Sequence, residues 1–231
     1  MSPAFAASSG STDPPCTPGE HLFTLERMST PDNDPIVHAA VMRFAVEGFD
    51  APLRGIGADA GVSAALIMKR FGSKQGLREA TDRYVLEWIR AARTQHAGEA
   101  AGGHLLAALA QHDEYAPLII YVVHSILEGS DLGHDVVDQI VADTEDHTSA
   151  SVEQGAMRPS RDERARARYM ALSGLGSFLL TILLRPDGDD ADLASVSRRF
   201  AEEQTLPVLE LYTEGALTSS AQLDEHLHQH S

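Results

Sequence analysis

Apolar residues recur at helical spacing along most of the chain from residue 35 onward. The first such stripe ends before Gly48 and consists of Ile36, Ala40, Val41, Phe44 and Ala45. Residues three and four positions apart lie on one face of an α-helix. This stretch therefore predicts an amphipathic helix that begins near Pro35 and stops at Gly48.

The same period predicts eight further helices. Three follow closely, over 52–60, 63–71 and 73–94, and five more are expected over 104–111, 113–127, 134–153, 161–184 and 191–212. Glycine and proline residues separate them. Alternating runs of β-branched residues bounded by hairpin dipeptides are absent from the sequence, so no strands are expected. The predicted fold class is all-α.

Composition divides the chain into four parts. Residues 1–31 are rich in Ser, Pro, Gly, Ala and Thr without a sustained period, which is typical of a disordered head. Residues 32–80 contain the first short helices, and residues 81–215 contain the longer ones. The polar residues 216–231 are expected to form a flexible tail.

The second and third predicted helices are joined as a helix-turn-helix. Two helices that cross at about 90–120° over a short turn need small residues at the crossing and a glycine in the turn. Gly57 and Ala60 allow the close approach, and Gly61 can adopt a positive φ. Ser63 is placed to cap the third helix. The predicted buried seam consists of Ile56, Val62, Ile67 and Phe71, packed against Val41, Phe44 and Ala45.

The motifs in this region form an extended set: Ala45, Gly48-Phe49, Ile56, Ala60-Gly61-Val62-Ser63, Phe71-Gly72-Ser73-Lys74 and Leu77. Together they resemble the TetR (tetracycline-repressor) family of bacterial transcriptional regulators, with the motifs covering about residues 36–90. The resemblance implies a homodimer whose N-terminal domain binds operator DNA. It also implies a C-terminal helical domain for dimerisation and for a small-molecule inducer, and a repressor is the expected form.

The resemblance places the DNA contacts on the third helix and its neighbours. The implied DNA-binding residues are Arg54, Ser63, Ala64, Ala65, Met68, Lys69, Arg70 and Lys74. Met68 stands where the family commonly has a phosphate-binding tyrosine, and Lys74 matches a lysine that contacts phosphate. Arg70, next to Phe71, could also turn sideways. Because Ala64, Ala65 and Met68 cannot make bidentate hydrogen bonds to bases, few direct hydrogen bonds to base edges are expected.

Charge is unevenly distributed along the sequence. The chain has 18 Lys+Arg and 34 Asp+Glu, for a formal net charge of −16. Residues 35–94 nevertheless carry +3, so the remainder carries −19, and both lysines of the protein, Lys69 and Lys74, lie in the basic part. A basic region on an acidic body is compatible with DNA binding.

Polar and aromatic residues at helical spacing in the longer helices are candidates for an inducer cavity. They are Tyr84, Trp88, Tyr121, His124, Glu128, Thr144 and His147. The alternative is that they are core residues whose polar atoms are hydrogen-bonded within the protein. Ser173, Ser177 and Thr181 could allow close helix packing with the last long helix across a dimer contact, or within one subunit.

Other classes of site have little support in the sequence. The single cysteine, Cys16, excludes an internal disulfide, and together with the lack of a signal sequence it favours the cytoplasm. The longest uncharged stretch, 169–184, is too short for the roughly 20 residues of a membrane span. No catalytic motif and no cofactor are expected. His226, His228 and His230 are interpreted as part of a solvated tail, and metal binding by them is the less favoured alternative.

Two alternative functions remain open from the residues. One is a helical ligand-sensing or adaptor protein that has lost DNA binding, which Ala64, Ala65 and Met68 would permit. The other is a small all-α enzyme that uses His124 and His147 with nearby carboxylates.

Overall fold

The computed structural model describes residues 34–95, 115–184 and 192–229. Within these ranges the chain forms nine α-helices and no strand, which confirms the all-α prediction. They are α1 (Pro35–Glu47), α2 (Leu53–Asp59), α3 (Ala64–Phe71), α4 (Lys74–Gln95), α5 (Ala116–Glu128), α6 (Asp131–Glu153), α7 (Glu163–Leu183), α8 (Leu193–Thr213) and α9 (Ala221–Gln229). The predicted head over 1–31 and the predicted helix over 104–111 lie outside the described residues.

The first three helices form a small domain around α1. Asp34 caps α1 through its carboxylate, which accepts a hydrogen bond from the Ile36 amide at 3.0 Å, and Pro35 occupies the first turn. Val41, Phe44, Ile56 and Ile67 are fully buried. Ala45, Val62 and Phe71 are only half-buried, so the predicted seam is correct at its centre and partly open at its edges.

The longer helices form the second part of the molecule. Helix α4 leads out of the first domain and contributes Trp88, and α5 contributes Leu118 and Tyr121; all three are buried. Helix α5 packs on α1 and on α6, and α6 packs along α7. The rings of Phe178 and Phe200, with centroids 5.5 Å apart, join α7 to α8.

The C-terminal region differs from the sequence prediction. Residues 216–231 were expected to form a flexible tail, and no helix was predicted there, but α9 lies within that segment. Leu223 and Leu227, four residues apart, give it one sparse apolar stripe, and none of its residues is buried. The helix was missed because polar residues dominate the composition there. None of the helices in the described ranges is long and apolar enough to cross a membrane.

Candidate nucleic-acid interface

The turn between α2 and α3 has the close packing that the sequence predicts. A Cβ on Gly57 would lie 2.7 Å from the Val62 carbonyl oxygen, and the Val62 amide donates a hydrogen bond to the Gly57 carbonyl at 2.8 Å. Gly61 has a φ of 68°, in the left-handed region that favours glycine. These two glycines therefore set the angle at which α3 leaves α2.

Helix α3 is held at its start by a side-chain cap. The Ser63 hydroxyl accepts a hydrogen bond from the Leu66 amide at 3.2 Å, as the sequence predicted. Ile67 points inward and is fully buried, while Ala65, Leu66, Met68 and Lys69 are exposed. The helix therefore presents one side to the core of the domain and the opposite side to solvent.

The start of α4 is built against the end of α3. The Ser73 hydroxyl accepts a hydrogen bond from the Gly76 amide at 2.9 Å, and a Cβ on Gly76 would lie only 2.1 Å from the Phe71 carbonyl oxygen. This close contact fixes Lys74 in the first turn of α4, where its side chain is half-buried. The N-terminus of a helix, with its free amides, favours an anion such as a phosphate.

The cations of the first domain fall into two groups. Arg43 is bound by Glu47 and Asp59, at 2.5 and 2.7 Å, which ties α1 to α2. By contrast, Arg54, Lys69 and Lys74 take part in none of the ion pairs found in the described ranges. These three are the cations available to DNA phosphates without first breaking an internal pair.

Arg70 belongs to the first of these groups. Its guanidinium pairs with the Asp34 carboxylate at 2.9 Å, and its central carbon lies 5.5 Å from the centre of the Phe71 ring. The sideways orientation considered from the sequence is thus the one found. Arg70 fastens the last turn of α3 to the start of α1, and its role as a phosphate contact remains a prediction.

The seven predicted ligand-binding residues do not share one environment. Tyr84 and Trp88 are buried on α4, where the Trp88 ring centroid lies 5.5 Å from that of Tyr115. Thr144 is buried on α6 and donates a hydrogen bond to the Ile140 carbonyl at 2.8 Å. His147 is exposed. A cavity lined by these residues therefore remains a prediction.

Tyr121, His124 and Glu128 lie elsewhere, at the junction between the two parts of the molecule. We call the residues Phe49, Arg78, Asp82, Tyr121, Ser125 and Glu128 the junction cluster. The Arg78 guanidinium carbon lies 3.1 Å from the centre of the Phe49 ring. Arg78 also donates hydrogen bonds to Asp82 at 2.9 Å and Glu128 at 3.1 Å.

The junction cluster is closed by a buried phenol. The Tyr121 hydroxyl donates a hydrogen bond to the Asp82 carboxylate at 2.6 Å. Burial, and then the adjacent Asp82 carboxylate, raise the pKa of Tyr121 above its ordinary value. Burial alone would lower the pKa of Arg78, but its bond to Asp82 and the other interactions within the cluster leave it raised. The phenol therefore stays protonated, and the guanidinium stays charged, at neutral pH.

His124 makes a second link across the same junction. Its Nδ1 donates a hydrogen bond to the Phe44 carbonyl, near the end of α1, at 3.2 Å, and its ring meets Phe49 edge-on. His124 is thus engaged with α1, while His147 is exposed on α6. Groups of three or more His, Cys, Asp or Glu residues able to hold a metal are absent from the described ranges, which include His226 and His228 but not His230.

Sequence reasoning missed Asp34, Arg78 and Asp82 as organising residues, and it identified Phe49 only as part of the family motif. Asp34 had a visible signal, because an Asp-Pro pair before an apolar stripe is a helix start. Arg78 had only a weak signal, the carboxylate of Asp82 four residues later on the same helix. Its other partner, Glu128, lies 50 residues away, and that contact depends on how α4 and α5 pack.

In the first domain, α3 is capped at its start and exposed on one side, and Arg54, Lys69 and Lys74 lie outside the ion pairs of the described ranges. This geometry is that of a helix-turn-helix nucleic-acid-binding protein. Comparisons with known proteins give the family. The profile of bacterial regulatory proteins of the tetR family matches residues 36–81, and that of the tetracyclin repressor-like C-terminal domain matches residues 113–218.

A curated relative and two solved structures extend the comparison. The HTH-type transcriptional regulatory protein RaaS of Mycobacterium tuberculosis is 38% identical over 192 residues, covering 83% of this chain and 90% of that protein. FadR from Bacillus subtilis in complex with stearoyl-CoA shares the fold with a TM-score of 0.52 at 16% identity, covering 79% of this chain and 98% of that one. A fatty acid metabolism regulator of Clostridium perfringens has a TM-score of 0.51 at 16% identity, covering 80% and 100%.

The chain belongs to the TetR family of bacterial transcriptional regulators. It is a DNA-binding transcriptional regulator, and its helix-turn-helix is formed by α2 and α3. The resemblance stated from the sequence motifs is confirmed.

Proposed function

We propose that the protein is a homodimeric repressor that binds a palindromic operator and releases it when a small molecule binds the helical domain. The observation that carries the ligand response is the junction between α5 and the DNA-binding domain. His124 holds the end of α1, and Arg78 holds Phe49 while bonding to Asp82 and Glu128. A shift of α4 or α5 caused by a ligand would therefore move α1 and, with it, α3.

An uncovered apolar face on α7 and α8 supports the homodimer. Its exposed residues are Tyr169, Leu172, Leu180, Leu183, Leu206, Val208, Leu209, Leu211 and Tyr212. A Cβ on Gly174 or Gly176 would meet no atom within 4 Å among the residues that the structure describes, so another helix has room to approach there. A large exposed apolar patch is typical of a protein interface. Two helices from each subunit would then form a four-helix contact.

Dimerisation explains how a ligand could control DNA binding. A two-fold dimer places two recognition helices in successive major grooves, about 34 to 36 Å apart. A change in their separation removes one half-site contact. The ligand must bind more tightly to the arrangement that does not fit DNA, because a ligand with equal affinity for both arrangements shifts nothing.

Arg54, Lys69 and Lys74 are the proposed phosphate contacts, with Ser63, Ala64, Ala65 and Met68 facing the groove. Tyr84, Trp88 and Thr144 are the residues proposed to line the effector cavity. Because the FadR structure was solved with stearoyl-CoA, an acyl-CoA is a reasonable first compound for a ligand screen.

Selection of bound genomic fragments with the purified full-length protein tests the proposal. We expect an enriched palindrome whose half-sites are one helical turn apart, and a dimer in sedimentation velocity. An enriched site without two-fold symmetry, bound by a monomer, would overturn the dimeric mechanism. Addition of stearoyl-CoA and other small acyl compounds during a fluorescence-anisotropy titration then tests the release step.

A further inference from the structure

The outward surface of the recognition helix α3 is unusually poor in hydrogen-bonding groups. Leu66 and Met68 are 45% and 44% exposed, and Ala65 is exposed as well. Ala65 and Met68, three positions apart, lie side by side on the helix, and Leu66 lies further round it. Ile67 is fully buried and defines the opposite side. Lys69 and Arg70 are the only polar residues within α3, and both lie in its last turn.

One of those two donors is already engaged. Arg70 pairs with Asp34 at 2.9 Å, so its guanidinium is directed toward the start of α1. Lys69 is exposed and is a single flexible ammonium, which suits a phosphate better than a bidentate contact with a base. The first turns of α3 are therefore left with apolar side chains.

The helix is nevertheless held firmly in place. Ser63 caps its start at 3.2 Å from the Leu66 amide, and the Asp34–Arg70 pair secures its end. The close contact of Gly57 with the Val62 carbonyl fixes its angle to α2. The apolar surface is thus presented in one orientation rather than by a mobile segment.

The major groove offers mostly hydrogen-bond donors and acceptors, for which the planar groups of Arg, Asn and Gln can make two hydrogen bonds to one base. It offers one apolar group, the 5-methyl of thymine. In helix-turn-helix proteins the N-terminal residues of the recognition helix contact base edges. Ala65, Leu66 and Met68 can bury that methyl group but cannot accept or donate a hydrogen bond through their side chains.

We propose that this protein selects its operator chiefly by van der Waals contact of Leu66 and Met68, with Ala65 beside Met68, with thymine methyl groups in the major groove. The inference rests on the operator binding proposed above. It assigns the specificity-determining role to apolar side chains, and the affinity to Arg54, Lys69 and Lys74 through phosphates.

Replacing single thymines by deoxyuridine in the selected operator tests the proposal. Uracil keeps the base pairing and the O4 acceptor and removes only the methyl group. Each contacted thymine should cost about fourfold in affinity, the factor expected for losing burial of one methyl-sized group. The dependence of affinity on salt should not change, because the phosphate contacts are the same.

Two variants assign the effect to residues. Met68→Ala and Leu66→Ala should each abolish the sensitivity to deoxyuridine at one thymine and leave the other sensitive. Lys69→Ala is the matched control, since it should weaken binding to the thymine and deoxyuridine operators by the same factor. Circular dichroism confirms that each variant is folded, which is expected for substitutions at exposed positions.

The outcomes separate the two proposals. An enriched palindrome whose affinity is unchanged by deoxyuridine at every thymine would overturn the methyl readout while leaving operator binding intact. Half-sites without A·T pairs in the contacted positions would overturn it as well. Failure to enrich any DNA would overturn operator binding, and the methyl readout with it.

Discussion

Arg70 at the end of the recognition helix and Asp34 at the start of α1 form an ion pair at 2.9 Å. The same Asp34 carboxylate caps α1 through the Ile36 amide at 3.0 Å. The Asp34 side chain is only 5% exposed and the Arg70 side chain is 53% exposed. One buried carboxylate therefore organises both ends of the DNA-binding domain, and the arginine that reaches it is drawn away from the open face of α3.

Lys69 and Arg70 are adjacent on α3, but they should contribute differently to DNA binding because Arg70 is paired with Asp34. Lys69→Ala should lower operator affinity on every sequence and reduce the slope of log affinity against log salt by about 1, because a phosphate contact is lost. Arg70→Ala should reduce that slope by less, because the Arg70 guanidinium is held by Asp34. Fluorescence anisotropy over a series of salt concentrations measures both. A slope that falls for Arg70→Ala and not for Lys69→Ala would reverse the assignment.

Asp34 itself is expected to contribute to stability through its cap. Asp34→Ala should lower the free energy of unfolding by about 1 to 2 kcal/mol, since it removes the cap and leaves Arg70 without its partner. Asp34→Asn is the matched control, because asparagine caps a helix about as well as aspartate and loses only the charge. Urea unfolding followed by circular dichroism distinguishes them. Equal losses for both variants would show that the ion pair matters more than the cap.

Gly57 should be the least replaceable residue of the helix-turn-helix. Gly57→Ala places a Cβ 2.7 Å from the Val62 carbonyl oxygen, so the backbone of the turn must move. We expect a loss of roughly 1 to 3 kcal/mol. Gly55→Ala is the control, because its Cβ would lie 3.3 Å from the end of the Arg43 side chain, which needs to move by only a few tenths of an ångström, rather than against backbone. Thermal unfolding of both variants tests this, and an equally stable Gly57→Ala protein would contradict the proposed close packing.

The sequence was informative where the structure depends on neighbouring residues. Gly57, Gly61 and Ser63 lie within seven residues and specify a turn and a cap by local chemistry, so the helix-turn-helix could be predicted. Arg70 and Asp34 are 36 residues apart, and Arg78 and Glu128 are 50 apart. Such pairs depend on how α3 lies against α1 and how α4 lies against α5, which helical periodicity does not determine. For the same reason the sequence could single out Tyr121, His124 and Glu128 but could not place them at the domain junction. Their part in a ligand cavity remains a prediction.

The junction cluster should stabilise the contact between the two parts of the molecule. Arg78→Met removes the stacking on Phe49 and leaves Asp82 and Glu128 without their cation. We expect a loss of about 2 kcal/mol, below the cost for a fully buried ion pair because both carboxylates reach water. Tyr121→Phe removes one hydrogen bond only and should cost about 1 kcal/mol. Urea unfolding measures both losses. A larger loss of the free energy of unfolding for Tyr121→Phe than for Arg78→Met would show that the phenol contributes more to the cluster than the guanidinium.

The uncovered apolar face of α7 and α8 predicts a dimer. Leu206 and Leu209 are 71% and 56% exposed in the single chain, and in the proposed dimer they are buried against the partner. Leu209→Glu would place a charge in that apolar contact, and burial of an unpaired charge is strongly unfavourable. Sedimentation velocity at micromolar concentration should therefore show a monomer, together with weaker binding to a palindromic operator. Val46→Glu is the control, since Val46 is 82% exposed on α1, outside this face, and should leave the dimer intact. A Leu209→Glu protein that remains a dimer would place the subunit contact on another surface.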